Sequence, residues 1–408
     1  MSEATLARRR TLPRRVALFA ATYTFGVAML GTTLPTPLYP LYEQRYHFGA
    51  LMTTIIYAVY AVGVLVALVL VGSASDAVGR RPLLLAGLAA SVLSALLFVT
   101  NAGLVVLIVG RVLSGIAAGI FTGTATVALV ELALPERRGQ VSTVATAVNM
   151  FGLGCGPLLA GLMAAWLPAP LLLPYLANLV LLLPAIAATW FLPETVRDRS
   201  RGWPRPQRPR VPAEARAVFI PAAAVAFAAF GAFGLVAAIG PTFLRNLLHL
   251  PSPALAGVIV FAMFAGSALG QIALTRLAGR TALPVGCGVL ILGLAGIGVA
   301  LAAESLTLVT VGTIVVGLGQ GLTFSSGIAA ITAASPSDRR AETISTFFIV
   351  AYVAISIPAV LVGVASTIWN LQIAGIVFTI VMGALTAAAL IAVLIIGRGQ
   401  RQKLTPLC

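Results

Sequence analysis

The sequence predicts an all-α integral membrane protein with twelve transmembrane helices, and three observations lead to this prediction. Of the 408 residues, 60% are apolar and only 9% are charged, a balance outside the range of soluble globular domains. Apolar segments of about 20 residues recur along the chain, each long enough for a helix to cross the hydrocarbon core. The period-two alternation of a transmembrane β-barrel is missing, and lipid favours helices because unsatisfied backbone groups are costly there.

Twelve apolar segments are predicted to span the membrane, and the even number places both termini on one side. The first follows a run of arginines like a secretory signal peptide, but it is too long for one and lacks a cleavage site, so we interpret it as a span. The predicted spans cover residues 16–38, 50–72, 82–101, 104–130, 141–166, 170–192, 217–243, 253–275, 282–302, 307–334, 343–367 and 371–396.

The positions of the arginines explain the net charge of +15. Outside the spans, only Arg45 and Arg245 fall on the side opposite the chain's ends. The positive-inside rule therefore predicts a multi-pass protein of a bacterial-type inner membrane with both termini cytoplasmic. We expect a monomer in the lipid bilayer. We expect no nucleic-acid partner, because the placement of the arginines on one side of the membrane explains the positive charge better.

A polar segment rich in Pro and Arg, residues 193–216, divides the chain into two sets of six spans. We interpret it as a solvated cytoplasmic linker. The predicted organisation is a basic cytoplasmic N-terminus (1–15), an N-terminal six-helix bundle (16–192), the linker, a C-terminal six-helix bundle (217–396) and a cytoplasmic tail (397–408).

The two halves repeat each other at an offset of about two hundred residues. Gly79-Arg80 corresponds to Gly279-Arg280, and Arg137-Arg138 corresponds to Arg339-Arg340. Together with the match of Phe25-Gly26 to Phe230-Gly231, these alignments pair span 1 with 7, 2 with 8, 4 with 10 and 5 with 11 as parallel repeats. The sequence therefore predicts two pseudo-symmetric six-helix bundles.

A charged turn between spans 2 and 3 contains Gly72, Asp76, Gly79, Arg80 and Arg81. It joins two apolar segments, so it must lie at a membrane face, where its glycines allow a tight reversal. The pattern Gly-x-x-x-Asp-x-x-Gly-Arg-Arg resembles the signature between the second and third helices of the major facilitator superfamily (MFS). The resemblance implies a twelve-helix carrier in which this turn is part of a gate.

The gating interpretation assigns partners to the charges of the turn. Asp76 is expected against the N-terminus of span 11, where free N–H groups and the helix dipole favour an anion. Arg80 is expected to pair with Glu131 at the cytoplasmic end of span 4. The resemblance implies that both contacts close the two halves on the cytoplasmic side.

Span 4 contains Gly110-Arg111 followed by Gly115 and Gly119, which resembles the family's Arg-x-x-x-Gly-x-x-x-Gly pattern. Arg111 is the only basic residue deep within a span, and a charge inside the membrane suggests a functional site. Two interpretations stay open: Arg111 contacts the substrate or coupling ion, or it ties span 4 to its neighbours through carbonyl groups or Tyr23.

Span 5 contains Gly152, Gly156, Pro157 and Gly161, which resembles the Gly-Pro-x-x-Gly-Gly motif of the drug/proton antiporter branch. Ala160 replaces the first glycine of the closing pair. The resemblance implies export. A structural interpretation is equally open, because proline bends a helix and glycines allow close packing, here expected against span 8.

Polar residues that are rare in apolar surroundings are the remaining candidates for contact with substrate or coupling ion. A buried polar group needs a partner, so each marks either a cavity wall or a hydrogen bond between helices. The candidates beside Arg111 are Tyr23, Asn149, Gln271, Gln320 and Tyr352.

The sequence contains no enzyme site, metal-ligand cluster or ATP-binding loop, so we expect no cofactor and transport driven by an ion gradient, with protons as the expected ion. The leading hypothesis is proton-coupled efflux of drug-like compounds or metabolites, favoured by the motifs of spans 4 and 5. The alternative is uptake or export of a neutral or anionic solute, such as a sugar or organic acid, by symport or uniport. Arg111 and the missing carboxylate of span 1 favour it. A third hypothesis is a non-transporting sensor or scaffold.

Overall fold

A computed structural model describes residues 11–71, 74–196, 209–273, 279–336 and 339–404, with side chains except at positions 71, 74, 76, 279, 280, 341 and 397–404. Within these ranges all regular structure is helical, and twelve helices are long and apolar enough to cross a membrane. The predicted fold class is confirmed. The twelve helices are α1 (Arg14–Thr33), α2 (Ala50–Val71), α3 (Arg80–Thr100), α4 (Leu104–Leu132), α5 (Arg138–Trp166), α6 (Leu173–Trp190), α7 (Ala213–Asn246), α8 (Pro253–Ala273), α9 (Gly279–Ala302), α10 (Leu306–Ala334), α11 (Arg340–Ile368) and α12 (Leu371–Leu404).

The first span ends earlier than predicted, at Thr33 rather than at residue 38. Pro35 and Pro37 follow, and a proline lacks the N–H donor that would continue the helix. The chain instead forms a 3-10 turn at Thr36–Leu38 and a short helix at Tyr39–Tyr46.

Two helices extend into segments that were predicted to be polar. α7 begins at Ala213, inside the predicted linker, directly after Pro212. α12 continues to Leu404, inside the predicted tail. Parts of the predicted N-terminus, linker and tail, at residues 1–10, 197–208 and 405–408, lie outside the described residues, as does Gly72 of the charged turn.

Contacts at the helix ends define two sides of the bundle. Arg14 Nε donates to Leu132 O at 2.6 Å, and Leu12 N donates to Phe191 O at 3.0 Å, so the start of the chain lies beside the ends of α4 and α6. The twelve described spans return the chain to this side at Leu404. We call it the terminal side, which the arginines predict to be cytoplasmic, and the opposite side the far side.

Equivalent helices make the same contacts in the two halves of the chain. α1 contacts α4, α5 and α6, just as α7 contacts α10, α11 and α12. α4 also contacts α2 and α3, and α10 contacts α8 and α9. The repeat seen in the sequence is therefore a repeat of helix packing.

Glycines bring α4 close to α2. A Cβ atom on Gly115 would collide with the carbonyl oxygen of Tyr60, and one on Gly63 would collide with that of Val112. The C-terminal half repeats this contact, since a Cβ on Gly317 of α10 would collide with a carbonyl of α8. Small residues at these points let the backbones approach closely, as is common between membrane helices.

The most extensive contacts between the two halves are made by two helix pairs, α2 with α11 and α5 with α8. At the second pair Gly161 and Gly257 face each other, and a Cβ on either would strike a carbonyl of the opposite helix. At the first pair a Cβ on Gly363 would strike the hydroxyl of Thr54. The interface therefore depends on small residues on both sides.

We expect Gly115→Ala to destabilise the protein, because the added methyl group must displace the backbone of α2. Overpacking of this kind costs about 1–3 kcal/mol. The matched control is Gly123→Ala on the same helix, where a Cβ meets nothing within 4 Å. The control should be neutral or slightly stabilising, since alanine favours a helix over glycine by about 1 kcal/mol. Thermal unfolding in detergent measures both, and equal midpoints would contradict the packing role.

Candidate functional site

Arg111 is buried on α4, with 2% of its surface exposed, seven residues from the far-side end of the helix at Leu104. Its Nη1 atom donates to Thr32 O of α1 at 2.7 Å. The guanidinium group lies 4.7 Å from the ring centre of Tyr60 and 5.8 Å from that of Tyr57. We call these four residues the Arg111 site.

Two aspects of the Arg111 site bear on its chemistry. Nε of Arg111 is buried and has no hydrogen-bond partner among the described residues. The faces of Tyr57 and Tyr60 hold the cation through cation–π attraction, which does not neutralise its charge. The site therefore carries a positive charge and an unused hydrogen-bond donor, Nε of Arg111.

Tyr23 has another partner than Arg111, so of the two ties suggested for span 4 the one through Tyr23 is not the one observed. Its hydroxyl donates to Leu181 O of α6 at 3.0 Å. Tyr23 therefore ties α1 to α6 within the N-terminal half. The carbonyl partner that was expected for Arg111 is present instead, as Thr32 O.

Tyr352 lies on α11, near the middle of the membrane-spanning region, and reaches the N-terminal half. Its hydroxyl lies 3.4 Å from Thr122 Oγ1 of α4. Of the predicted candidates in the C-terminal half, Tyr352 is thus the one that reaches α4, the helix that carries Arg111.

Gln271 and Gln320 form a buried cluster through Ser267 of α8. Ser267 Oγ donates to Gln320 Oε1 at 2.5 Å, and Gln271 Nε2 donates to Ser267 Oγ at 3.2 Å. The cluster joins α8 to α10, the helix-to-helix role that was the alternative to substrate contact. Gln271 Oε1, Gln320 Nε2 and Asn149 Oδ1 are buried without a partner among the described residues, so a role in binding stays a prediction for all three.

Arg80 and Glu131 form the expected ion pair at the terminal side. Arg80 Nη2 lies 3.1 Å from Glu131 Oε1, and Nε lies 3.3 Å from Oε2, while Nη1 bonds Ser75 Oγ. Both members belong to the N-terminal half, so the pair joins α3 to α4 and does not itself bridge the two halves as expected. The side chain of Asp76 lies outside the described residues, and its predicted contact with α11 stays a prediction.

Gly79 and Arg81 complete the described part of the charged turn. Gly79 precedes α3 with φ of 111°, a conformation that side chains disfavour and glycine adopts freely. The guanidinium of Arg81 lies 5.5 Å from the ring centre of Trp190. Gly79 thus supplies the backbone conformation that the turn needs, and Arg81 packs against Trp190 at the end of α6.

Glu194, which the sequence interpretation left without a role, caps α3. Its Oε1 accepts from Arg80 N at 2.9 Å and its Oε2 from Arg81 N at 3.3 Å. These are N–H groups of the first turn, which have no partner within the helix. A carboxylate there is also favoured by the helix dipole. The start of the linker thereby holds the charged turn in place.

The glycines of α5 face two different helices. Gly161 and Pro157 contact α8, as the motif predicted. Cβ atoms on Gly152 and Gly156 would instead meet α1, at the carbonyl oxygens of Gly26 and Leu30. Only the far-side end of the motif therefore lies at the interface between the halves.

A second ion pair, which the sequence analysis did not predict, links the two halves at the far side. Glu43, on the short helix after α1, lies with Oε2 2.6 Å from Arg245 Nη2 at the end of α7. The available signal was the placement of Arg245 and Arg45 as the only arginines predicted on this side. Among the described residues, no three His, Cys, Asp or Glu side chains are grouped as a metal site.

Comparisons with known proteins agree on one fold. The sequence model of the Major Facilitator Superfamily matches residues 21–359. The crystal structure of the human organic anion transporter MFSD10 (TETRAN) superimposes with a TM-score of 0.69 at 16% identity, covering 94% of this chain and 100% of that chain. A bacterial homolog of the human lysosomal transporter Spinster, in an inward-facing and unoccupied conformation, superimposes with a TM-score of 0.68 at 16% identity, covering 93% of this chain and 98% of that chain.

We expect Glu194→Ala to lower the thermal stability of the protein, because the first turn of α3 loses its cap. Loss of a cap costs about 1–2 kcal/mol. The matched control is Glu136→Ala, which removes an exposed carboxylate on the same side and should change stability by less than about 0.5 kcal/mol. Thermal unfolding in detergent compares the two, and a Glu194→Ala midpoint equal to that of the control would show that the cap contributes nothing.

Proposed function

Because this chain belongs to the major facilitator superfamily, we propose that it is a secondary transporter that moves a small organic anion by alternating access. Membrane transport itself follows from the family and the fold, and a transporter is not an enzyme. The class of substrate goes beyond what the family shows, and we infer it from the charge of the Arg111 site.

Arg111 carries the proposal of an anionic substrate. A buried positive charge is costly in the membrane unless a negative group compensates it. Among the described residues, no Asp or Glu lies in the middle of a span, so this part of the chain supplies no carboxylate at that depth. The free Nε of Arg111 offers a donor to a substrate anion. The organic anion transporter with a similar fold is consistent with this, although at 16% identity the likeness concerns the fold alone.

Movement of the two halves supplies access to this site. In the structure, Arg111 is covered by Tyr57 and Tyr60. Ser356 Oγ of α11 donates to Ala58 O of α2 at 3.3 Å, so separation of the halves changes the surroundings of the helix that carries Tyr57 and Tyr60. We infer that substrate reaches Arg111 when the bundles rock about the region between them. Because both halves lie in one chain, a monomer contains the complete site.

The second candidate is proton-coupled efflux of drug-like compounds or metabolites, as in the drug/proton antiporter branch. The observation in its favour is the position of Pro157 and Gly161, which contact α8 at the interface between the halves. Residues there influence how the halves move. In either case the proposed driving force is an ion gradient, with protons as the ion and no cofactor.

We also propose that the terminal side is cytoplasmic in a bacterial-type inner membrane. The support is the charge distribution, with Arg14, Arg80, Arg81 and Arg340 among the basic residues at terminal-side helix ends. Cytoplasmic loops carry such an excess of arginine because positively charged segments are retained on that side.

The test is an uptake assay in proteoliposomes with an imposed pH gradient. The compounds offered are organic acids, sugars and lipophilic cations. The wild type is compared with the variants Arg111→Gln, Arg111→Lys and Arg216→Gln. An organic acid should be transported, and Arg111→Gln should weaken its binding by roughly 10- to 100-fold, since a hydrogen bond to a charged group contributes about 1.5–3 kcal/mol. Arg111→Lys, which keeps the charge, should bind with intermediate affinity. Arg216 is exposed at the terminal side, so Arg216→Gln should resemble the wild type.

Three results would contradict the anion proposal. Unchanged binding of the acid by folded Arg111→Gln would remove its physical basis. Transport of lipophilic cations that dissipates the pH gradient would favour the second candidate. No transport across the panel by folded, inserted protein would favour a non-transporting sensor or scaffold.

A further inference from the structure

An apolar cavity lies inside the C-terminal half, near the far side. Helices α7 to α12 all contribute to its walls, and every lining residue falls between Leu235 and Gly375. Its half-buried members Gly240, Val309 and Leu371 lie near the far-side ends of α7, α10 and α12 and mark its rim. The cavity is separate from the Arg111 site, whose residues all belong to the N-terminal half. We call it the C-terminal cavity.

The lining of the C-terminal cavity is apolar except for one hydroxyl group, that of Thr313 on α10. This side chain is buried, with 1% of its surface exposed, and its Oγ1 has no hydrogen-bond partner among the described residues. Other buried threonines of this half, such as Thr323 and Thr386, bond a carbonyl oxygen one turn back in their own helix. A buried hydroxyl without a partner is costly, so Thr313 marks a place where a hydrogen-bonding group is missing.

The repeat of the two halves makes Thr313 the counterpart of Arg111. Each is the eighth residue of a 29-residue helix, α10 or α4. Four residues later, Gly317 and Gly115 make the same close contact with the neighbouring helix. The position that carries a charged side chain in the first half therefore carries an uncharged one in the second.

The size and chemistry of the C-terminal cavity decide what can fill it. The centre of a water molecule can occupy about 50 Å³ of it, whereas a site for one water needs about 10–15 Å³. Water is held poorly there, because a buried water makes about three hydrogen bonds and the lining side chains offer one hydroxyl. Hydrocarbon, in contrast, gains free energy by leaving water for apolar walls. The cavity therefore fits a compact apolar molecule with a single polar group.

The corresponding space of the N-terminal half differs in both respects. It lies between α1, α3, α4 and α6, and the centre of a water molecule can occupy about 10 Å³ of it. Side chains with hydroxyl or amide groups dominate its lining: Thr32, Ser91, Ser94, Ser114, Tyr175 and Asn178. Such a space suits a single water. The apolar C-terminal cavity is thus a feature of one half and not a consequence of the fold that both halves share.

We propose that the C-terminal cavity is a second ligand-binding site, which takes a small, uncharged, mostly hydrocarbon molecule with one hydroxyl group. The hydroxyl of the ligand bonds Thr313 Oγ1, and its hydrocarbon part lies against the apolar side chains of α7 and α8. A short-chain aliphatic alcohol has this chemistry. Anions and cations are excluded, because none of the described lining residues is charged and a desolvated charge without a partner is costly. The site adds to the proposed anion site and does not depend on it.

The experiment is photolabelling of the full-length protein in liposomes with 1-hexanol that carries a diazirine group on its chain. Light converts the diazirine into a reactive group that attaches to an adjacent residue, and mass spectrometry of the peptides locates the attachment. Unlabelled 1-hexanol is added as a competitor, because competition separates a saturable site from contact with lipid-facing residues. Saturable labelling is expected on the lining residues of α7 and α10.

Gly240→Leu should abolish the saturable labelling, because its side chain occupies the C-terminal cavity. A Cβ atom at this position meets only Val236 Cγ1, at 3.8 Å, so the helix accepts a larger residue. The matched control is Gly288→Leu on α9, which does not line the cavity and where a Cβ meets nothing within 4 Å. The control should be labelled as the wild type is. Thermal unfolding in detergent verifies that both variants are folded.

Thr313→Val tests the hydrogen bond, since it keeps the shape of the side chain and removes the hydroxyl. The concentration of 1-hexanol that halves the labelling should rise by about 2- to 10-fold, as expected for the loss of one neutral hydrogen bond. Hexane has no hydroxyl, so as a competitor it should act equally on the wild type and on Thr313→Val.

Three results would overturn the proposal: saturable labelling of folded Gly240→Leu at the level of the wild type, an unchanged half-competition concentration of 1-hexanol for Thr313→Val, or wild-type labelling that does not respond to the competitor. None of these measurements requires transport. Failure of anion transport with saturable labelling of the cavity would refute the anion substrate alone, and anion transport without such labelling would refute the second site alone.

Discussion

The need to pair every backbone polar group within the hydrocarbon core is the constraint on which the rest of this structure depends. It makes each apolar segment a helix, and it leaves only side chains to join one helix to the next. Glycine provides the closest of these contacts, because Gly63 and Gly115 let two backbones touch where any side chain would separate them. The same device recurs at Gly161 and Gly257, where the two halves meet. A contact made of small residues resists compression yet offers no strong bonds along its length, which suits two bundles that must move against each other.

Strong polar interactions are therefore concentrated at the ends of the helices. At the terminal side, Arg80, Glu131 and Glu194 join α3 to α4 and to the start of the linker, all within one half. At the far side, Glu43 and Arg245 join one half to the other. The first network ties helices together within the N-terminal bundle, whereas the second ties one bundle to the other. The two ion pairs thus differ in what they join although their chemistry is the same.

Arg111 is the exception, since it keeps a charge two helical turns inside the membrane-spanning region. A carbonyl oxygen and two aromatic faces stabilise the guanidinium without neutralising it. The proposed anion would supply the missing negative charge at Arg111.

The sequence by itself determined the twelve helices, their two-fold repeat, the depth of Arg111 and the pairing of Arg80 with Glu131, because hydrophobic length and the rarity of charge are local properties of a membrane chain. It did not determine that Tyr23 turns to α6, that Gly152 and Gly156 pack on α1, or that Glu194 caps α3. Only the tertiary structure decided the pairing of Glu43 with Arg245, which are far apart in the chain. The physical reason is that their meeting depends on how two complete bundles dock, and no local pattern of residues records that geometry.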